Sequence, residues 1–181
     1  MEYLEMTKII IILIILLVWA GLYFMSLINY IRFKVPQVST FSSDFKVLKD
    51  NLWKYNLEWK KIADMWSWIG KVIRFVEKEF WAKPTGYEID LSNVIIWKIL
   101  NKVFWSKSKI IKWNYFEADL KKYDFIYIYL FPCLMEKVEE KIFSDAKKWT
   151  IIFVNAFKFW KHKSIDIFYK NWKEKIFVYK V

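Results

Sequence analysis

Glycine is nearly missing: the chain holds 3 in 181 residues, beside 12 tryptophans. Ordinary usage, about 7%, would supply roughly a dozen glycines, so a fold with tight turns is short of the residue that makes them. Cysteine occurs once, at Cys133, which excludes an internal disulfide; it reads as a small packed side chain. The one histidine, His162 in "KHKS", reads as an exposed loop residue, and no His, Cys and carboxylate cluster has metal-ligand spacing, so no metal site is expected. Arginine is scarce too, with Arg32 and Arg74 alone among 30 basic residues. The net charge of +11 therefore comes from lysines scattered among Ile, Phe, Tyr and Asn, all encoded by AT-rich codons. A solvated lysine surface fits that scatter better than a dedicated basic patch, and no nucleic-acid partner is expected.

What the chain has in excess is an apolar run. Ile9 to Ile28 carries no charge, and its 20 residues suffice for a helix to cross roughly 30 Å of hydrocarbon. A cleaved signal peptide would be shorter and end in small residues, so residues 1–34 are expected to be a lasting anchor. Arg32, Lys34 and the lysine-rich remainder put the bulk of the protein on the cytoplasmic side of the inner membrane, with a single pass. Residues 35–44, "VPQVSTFSSD", read as a linker stopped by Pro36. Ser42, Ser43 or Asp44 then caps a helix running to about Tyr55.

From residue 45 onward, strands alternate with helices. "KIADM" is a short strand, "IGKVIRFVEKEF" an amphipathic helix, "KPTGYEID" a second strand, and "LSNVIIWKILNKVF" a helix capped by Ser92 or Asn93. "SKIIKW" and "YDFIYIYLF" are strands three and four, "PCLMEKVEEKIF" a helix with proline in its first turn, and "TIIFVNAF" strand five. This order predicts an α/β domain over 45–181 with a mostly parallel sheet covered on both faces. "SIDIFYK" and "KEKIFVYKV" form a C-terminal antiparallel hairpin turning at Asn171 and Trp172, where Asn-Gly would be the natural pair.

Tryptophan stands where glycine belongs at several further points. "DMWSWIG" reads naturally as D-M-G-S-G-I-G, a tight turn between strand and helix. Trp81 and Trp105 follow helices at the left-handed stop position, and Trp149 sits in a turn before strand five. Such a distribution arises when UGA, read as glycine in some bacterial lineages, is translated as tryptophan; the AT-rich composition agrees. The expectation covers Trp66, Trp68, Trp81, Trp105, Trp149 and Trp172, and extends less firmly to Trp19, Trp53 and Trp160. The competing reading is a truly tryptophan-rich protein with an aromatic belt at the membrane surface.

With these residues in view, Trp59 to Val181 resembles class I S-adenosylmethionine-dependent methyltransferases, whose fold is Rossmann-like. The apolar helix and "YDFIYIYLFPCLMEKVEEKIF" are similar to the small membrane-anchored group that includes the lysine methyltransferases of the ATP synthase c subunit. The resemblance implies S-adenosyl-L-methionine as cofactor. It assigns Asp64 and the turn through Trp66, Ser67, Trp68 and Gly70 to the methionine part, Glu88 to the two ribose hydroxyls, and Asn114 and Tyr115 to the adenine. Tyr129 and Pro132, ending strand four, would position the methyl acceptor. The activity implied is N-methylation of a protein lysine at or near the membrane, with a membrane protein among the candidate acceptors. "YLFP" departs from the Asn/Asp-Pro-Pro-aromatic pattern of amino-methylating relatives, which keeps a lipid or small-molecule acceptor open. An inert membrane-tethered binding protein is the alternative from another class.

Overall fold

The computed structural model describes residues 2–33, 40 and 42–181. The expected linker therefore lies largely outside the described residues. α1 (Glu2–Phe33) is one helix whose Glu5–Met25 stretch is long and apolar enough to cross a membrane. α2 (Ser42–Leu52) ends three residues before the expected Tyr55. Ser42, Ser43 and Asp44 lie inside its first turn rather than before it. Asp44 is fully buried, accepting from Lys170 Nζ at 3.0 Å with Lys175 Nζ at 3.3 Å.

The chain then runs β1 (Lys61–Asp64), α3 (Lys71–Phe80), β2 (Lys83–Glu88), α4 (Leu91–Val103), β3 (Lys109–Lys112), β4 (Phe125–Ile128), α5 (Pro132–Asp145), β5 (Ile151–Asn155), β6 (Asp166–Lys170) and β7 (Lys173–Lys180). One sheet takes the order β3-β2-β1-β4-β5-β7-β6. The first five strands are parallel and β7 and β6 antiparallel, as the sequence pattern predicts. β4 explains why such strands read as unbroken apolar runs. Ile126 and Ile128 pack beneath α5 with Met135, Val138 and Ile142. Phe125 and Tyr127 join the opposite core with α2 and α3, through Leu48, Leu52, Val72 and Val76. α4 is capped by Asp90, whose carboxylate accepts from the Ser92 N–H at 2.8 Å; the expected caps Ser92 and Asn93 are in the first turn.

One isolated side chain differs from expectation. Cys133 is exposed, because the first turn of α5 points it away from the core. His162 is exposed in a loop, as expected, and is held there: it stacks on Phe143 at 3.4 Å and its Nδ1 lies 2.8 Å from Glu139 Oε1.

Backbone geometry bears directly on the tryptophans. Among the described tryptophans, positive φ occurs at Trp59 (61°), Trp68 (46°), Trp81 (54°), Trp105 (53°), Trp149 (73°) and Trp172 (65°), and elsewhere at Gly70, Ala156 and Asn171. Trp81 closes α3 in the left-handed conformation, its N–H donating to the Glu77 carbonyl at 3.0 Å. Asn171 (49°) and Trp172 supply the paired positive φ of a two-residue hairpin turn. A Cβ in this region is strained by about 1–3 kcal/mol. Trp172 is 98% exposed, so its indole offers no burial to offset that strain. Trp172→Gly is expected to stabilise the detergent-solubilised full chain by about 1 kcal/mol, raising the midpoint of thermal unfolding by about 2–4 °C. Calorimetry checks this, with Trp172→Ala, which keeps the Cβ, gaining less.

Candidate active site

The strand order reverses between β1 and β4, and all five parallel strands point their C-terminal ends to one edge. That crevice is where open α/β sheets bind ligands. The loop after β1 is stitched across it. Met65 N–H donates to the Tyr127 carbonyl on β4 at 3.1 Å, and Ser67 N–H to the Tyr87 carbonyl on β2 at 3.0 Å. Gly70 (φ 73°) then opens α3. A Cβ on Gly70 would come within 1.9 Å of Trp97 Cδ1, and one on Gly86 within 2.0 Å of Ser67 Oγ. The loop therefore presses on β2 and α4 with no room for even a methyl group. Gly86 carries this contact without having stood out in the sequence; its signal was a glycine inside a strand.

Two carboxylates end the strands beneath the loop. Asp64 pairs in register with Gly86 and Tyr127, and its Oδ1 accepts from the Trp66 N–H at 3.1 Å. Glu88 Oε1 accepts from the Asp90 N–H at 2.7 Å, while Oε2, equally buried, has no hydrogen-bond partner among the described residues. Burial drives both carboxyls up, Asp64 to about 7 and Glu88 to about 8, against smaller lowering by their backbone N–H donors. Ser67 Oγ is likewise buried and unpartnered.

Asn114 and Tyr115 follow β3 on the same edge. The Asn114 side chain caps a short 3-10 turn by accepting from the Phe116 N–H at 3.1 Å, and Trp113 N–H donates to the Glu88 carbonyl at 3.1 Å. Trp66 reaches from the β1 loop toward Tyr115, their rings 6.0 Å apart. Its indole is partly buried and packs against the core there. Tyr129 and Pro132 lie past β4 on the far side of β1. Tyr129 is half-buried, with Lys175 Nζ 5.6 Å from its ring, and burial followed by the charge of Asp44 raises its phenol. Beside it runs a polar chain missed in the sequence: Tyr127 Oη accepts from Asn155 Nδ2 at 2.9 Å and meets Thr40 Oγ1 at 3.3 Å. Asn155 had the same signal as Asp64 and Glu88, a polar residue closing an apolar strand.

A cavity of about 1390 Å³ lies at the opposite edge, beside Lys61, Lys83 and Lys109 where the strands begin, and three of its walls are Trp59, Trp81 and Trp105. Positive-φ tryptophans shape it, and the strand-end carboxylates do not face it. Among the described residues no group of His, Cys, Asp or Glu has a metal-holding arrangement.

The fold is that of class I S-adenosylmethionine-dependent methyltransferases. An RNA methyltransferase from Salinibacter ruber, crystallised with S-adenosyl-L-homocysteine, is 16% identical, with a TM-score of 0.71 over 79% of this chain and 93% of that one. A tRNA methyltransferase from M. jannaschii is 16% identical (TM-score 0.56), over 78% of this chain and 49% of its own. A precorrin-6y C5,15-methyltransferase from Geobacter metallireducens is 14% identical (TM-score 0.55), over 68% and 67%. No protein-family model and no curated protein matches the chain.

The two raised carboxyls carry a pH signature. A group whose pKa is higher folded than unfolded contributes stability fully present below its unfolded value and lost as pH rises through the folded one. The unliganded protein should therefore lose on the order of a few kcal/mol between about pH 5 and pH 8. Thermal unfolding across that window checks this: Asp64→Asn and Glu88→Gln should each flatten the decline, and an unchanged slope in both counts against it.

Proposed function

We propose that this protein is an S-adenosyl-L-methionine-dependent methyltransferase, tethered by α1, that N-methylates lysine on a protein at or near the membrane. The observation that carries the cofactor reading is Glu88. Its buried, unpartnered Oε2 at the end of β2 suits a ligand bringing two hydroxyl donors, as a ribose does. Asp64 offers a second buried acceptor for the methionine part, and Asn114 and Tyr115 flank the position of the adenine. When bound, the cofactor supplies an electrophilic methyl on a sulfonium. The protein's own work is to exclude water and hold the acceptor nitrogen, deprotonated, in line. Tyr129 and Pro132 are the residues assigned to that positioning. Tyr129, its phenol held neutral, can donate or accept but brings no charge.

The fit fails at one point. Trp66 puts a large, partly buried ring beside Tyr115 at the strand-end edge, and Trp68 adds a bulky positive-φ residue to the same loop. We infer that both are glycine in the functional polypeptide, the gene using UGA for glycine. Five of the six tryptophans expected to be glycine have positive φ, and Trp59 joins them. Trp66 rests on space instead.

The acceptor is supported by the tether, which concentrates membrane-borne substrates at the site. The fold itself is used on RNA and on a corrin precursor by the similar proteins above, so it does not choose the acceptor. The codons at 66 and 68 should be UGA; UGG at both counts against recoding. Titration of S-adenosylmethionine should give no binding for the chain with tryptophan at 66 and 68, and binding for the Trp66→Gly, Trp68→Gly double variant. Glu88→Ala in that background should weaken binding about 5- to 150-fold, since the ligand's hydroxyls are left without their buried partner. Label from a tritiated methyl group should enter membrane protein; label in RNA or lipid instead replaces the acceptor while leaving the methyltransferase reading intact.

A further inference from the structure

α4 is apolar on two sides. Val94 and Trp97 face the core, whereas Leu91, Ile95, Ile99 and Val103, at successive i+4 positions, form a straight stripe facing outward. Ile99 is 56% and Val103 61% exposed. Lys98 and Lys102 flank the stripe, and the neighbouring edge strand adds exposed Ile111, with exposed Trp113 just past its end and Lys109 and Lys112 alongside. A helix at a water-facing surface places polar residues there; a continuous apolar patch rimmed by lysine marks a contact surface.

α1 indicates what the contact is. It touches α4, and among the described side chains of the apolar run Leu22 and Met25 are half-buried while their neighbours are exposed. If the run leaves the bilayer after Ile28, Met25 and Leu22 lie about 4.5 and 9 Å inside it along the helix axis. Interfacial helices rest at about that depth, roughly 5–10 Å. We propose that the outer face of α4, with the β3 edge, lies in the interface of an anionic phospholipid bilayer. This rests on the reading that α1 spans the membrane. The stripe sinks among the acyl chains while Lys98 and Lys102 extend to the headgroups, whose charge complements them. Because α4 starts at Leu91, three residues past Glu88, the rim of the candidate site then sits at headgroup level. An acceptor emerging from the bilayer meets it there.

The test uses the full chain in a Cys133→Ser background, reconstituted into phosphatidylcholine–phosphatidylserine vesicles. Single cysteines, introduced by Leu16→Cys, Ile99→Cys or Lys137→Cys, carry an environment-sensitive fluorophore, and nitroxide-labelled lipids act as quencher. Position 99 should be quenched several-fold more than position 137 on α5, and less once phosphatidylserine is omitted. Strong quenching at 16 with none above the position-137 level at 99 overturns the α4 proposal and leaves the anchor standing. No quenching at 16 overturns the anchor and this inference together. Blue-shifted emission at 99 without lipid quenching also overturns it, since α1 or a second copy then covers the stripe.

Discussion

The C-terminal edge of the sheet depends on how closely the loop after β1 approaches β2 and α4. Ser67 fits against Gly86, and Gly70 against Trp97, at distances that exclude a Cβ. That closeness seals Asp64 and Glu88 from water, and sealing raises their carboxyl groups. The same lack of room makes Trp66 and Trp68 foreign to the loop. Local backbone geometry, carboxylate chemistry and the reading of the site are thus one constraint seen at three levels.

Its energetic scale is large. Six tryptophans at positive φ, each strained by about 1–3 kcal/mol, sum to roughly 6–18 kcal/mol, against a typical domain stability of about 5–15 kcal/mol. Tryptophan normally offsets strain by burying its ring, yet Trp105 and Trp172 are almost wholly exposed. A chain carrying glycine at these positions sheds the strain and surrenders little packing. Trp97 differs: it is buried mid-helix, and the approach of Gly70 is shaped to it, although its Nε1 finds no partner among the described residues.

The architecture was legible because strand and helix periods alternate cleanly and the turns fall at the tryptophans. Asp64, Glu88, Asn114 and Tyr115 were placed on one edge by the rule that parallel strands end together. Helix boundaries were less legible. Ser42, Ser43 and Asp44 all look like caps, and only the lysines on β6 and β7 explain why Asp44 is instead an internal ion-pair partner. Asp90, Ser92 and Asn93 are all residue types that cap helices, and sequence alone does not rank them; the Asp90 carboxylate takes the role. Gly86, Asn155 and Trp59 act through neighbours distant in the chain, which no local pattern records. Cys133 followed residue-type habit, which the direction of one helical turn overrode.

Two other buried carboxylates serve as internal controls for what Asp64 and Glu88 mean. Asp44 is fully buried but faces Lys170 and Lys175. Glu139 is fully buried, yet it accepts from the backbone N–H groups of Trp160, Lys161 and His162 and meets the His162 ring. Burial pushes its carboxyl up, but those donors together outweigh it, and the net shift is downward. Asp44 ties α2 to β6 and β7 through two lysine charges, although its Oδ2 accepts no hydrogen bond, and Glu139 ties α5 to the 160–162 loop through three backbone donors. Among the described residues no cation pairs with Asp64 or Glu88, and Glu88 Oε2 accepts no hydrogen bond, so burial keeps both carboxyls high. Burial without compensation destabilises a fold. It persists most readily where something outside the chain completes the bonding, and at the switch point of a parallel sheet that something is a ligand.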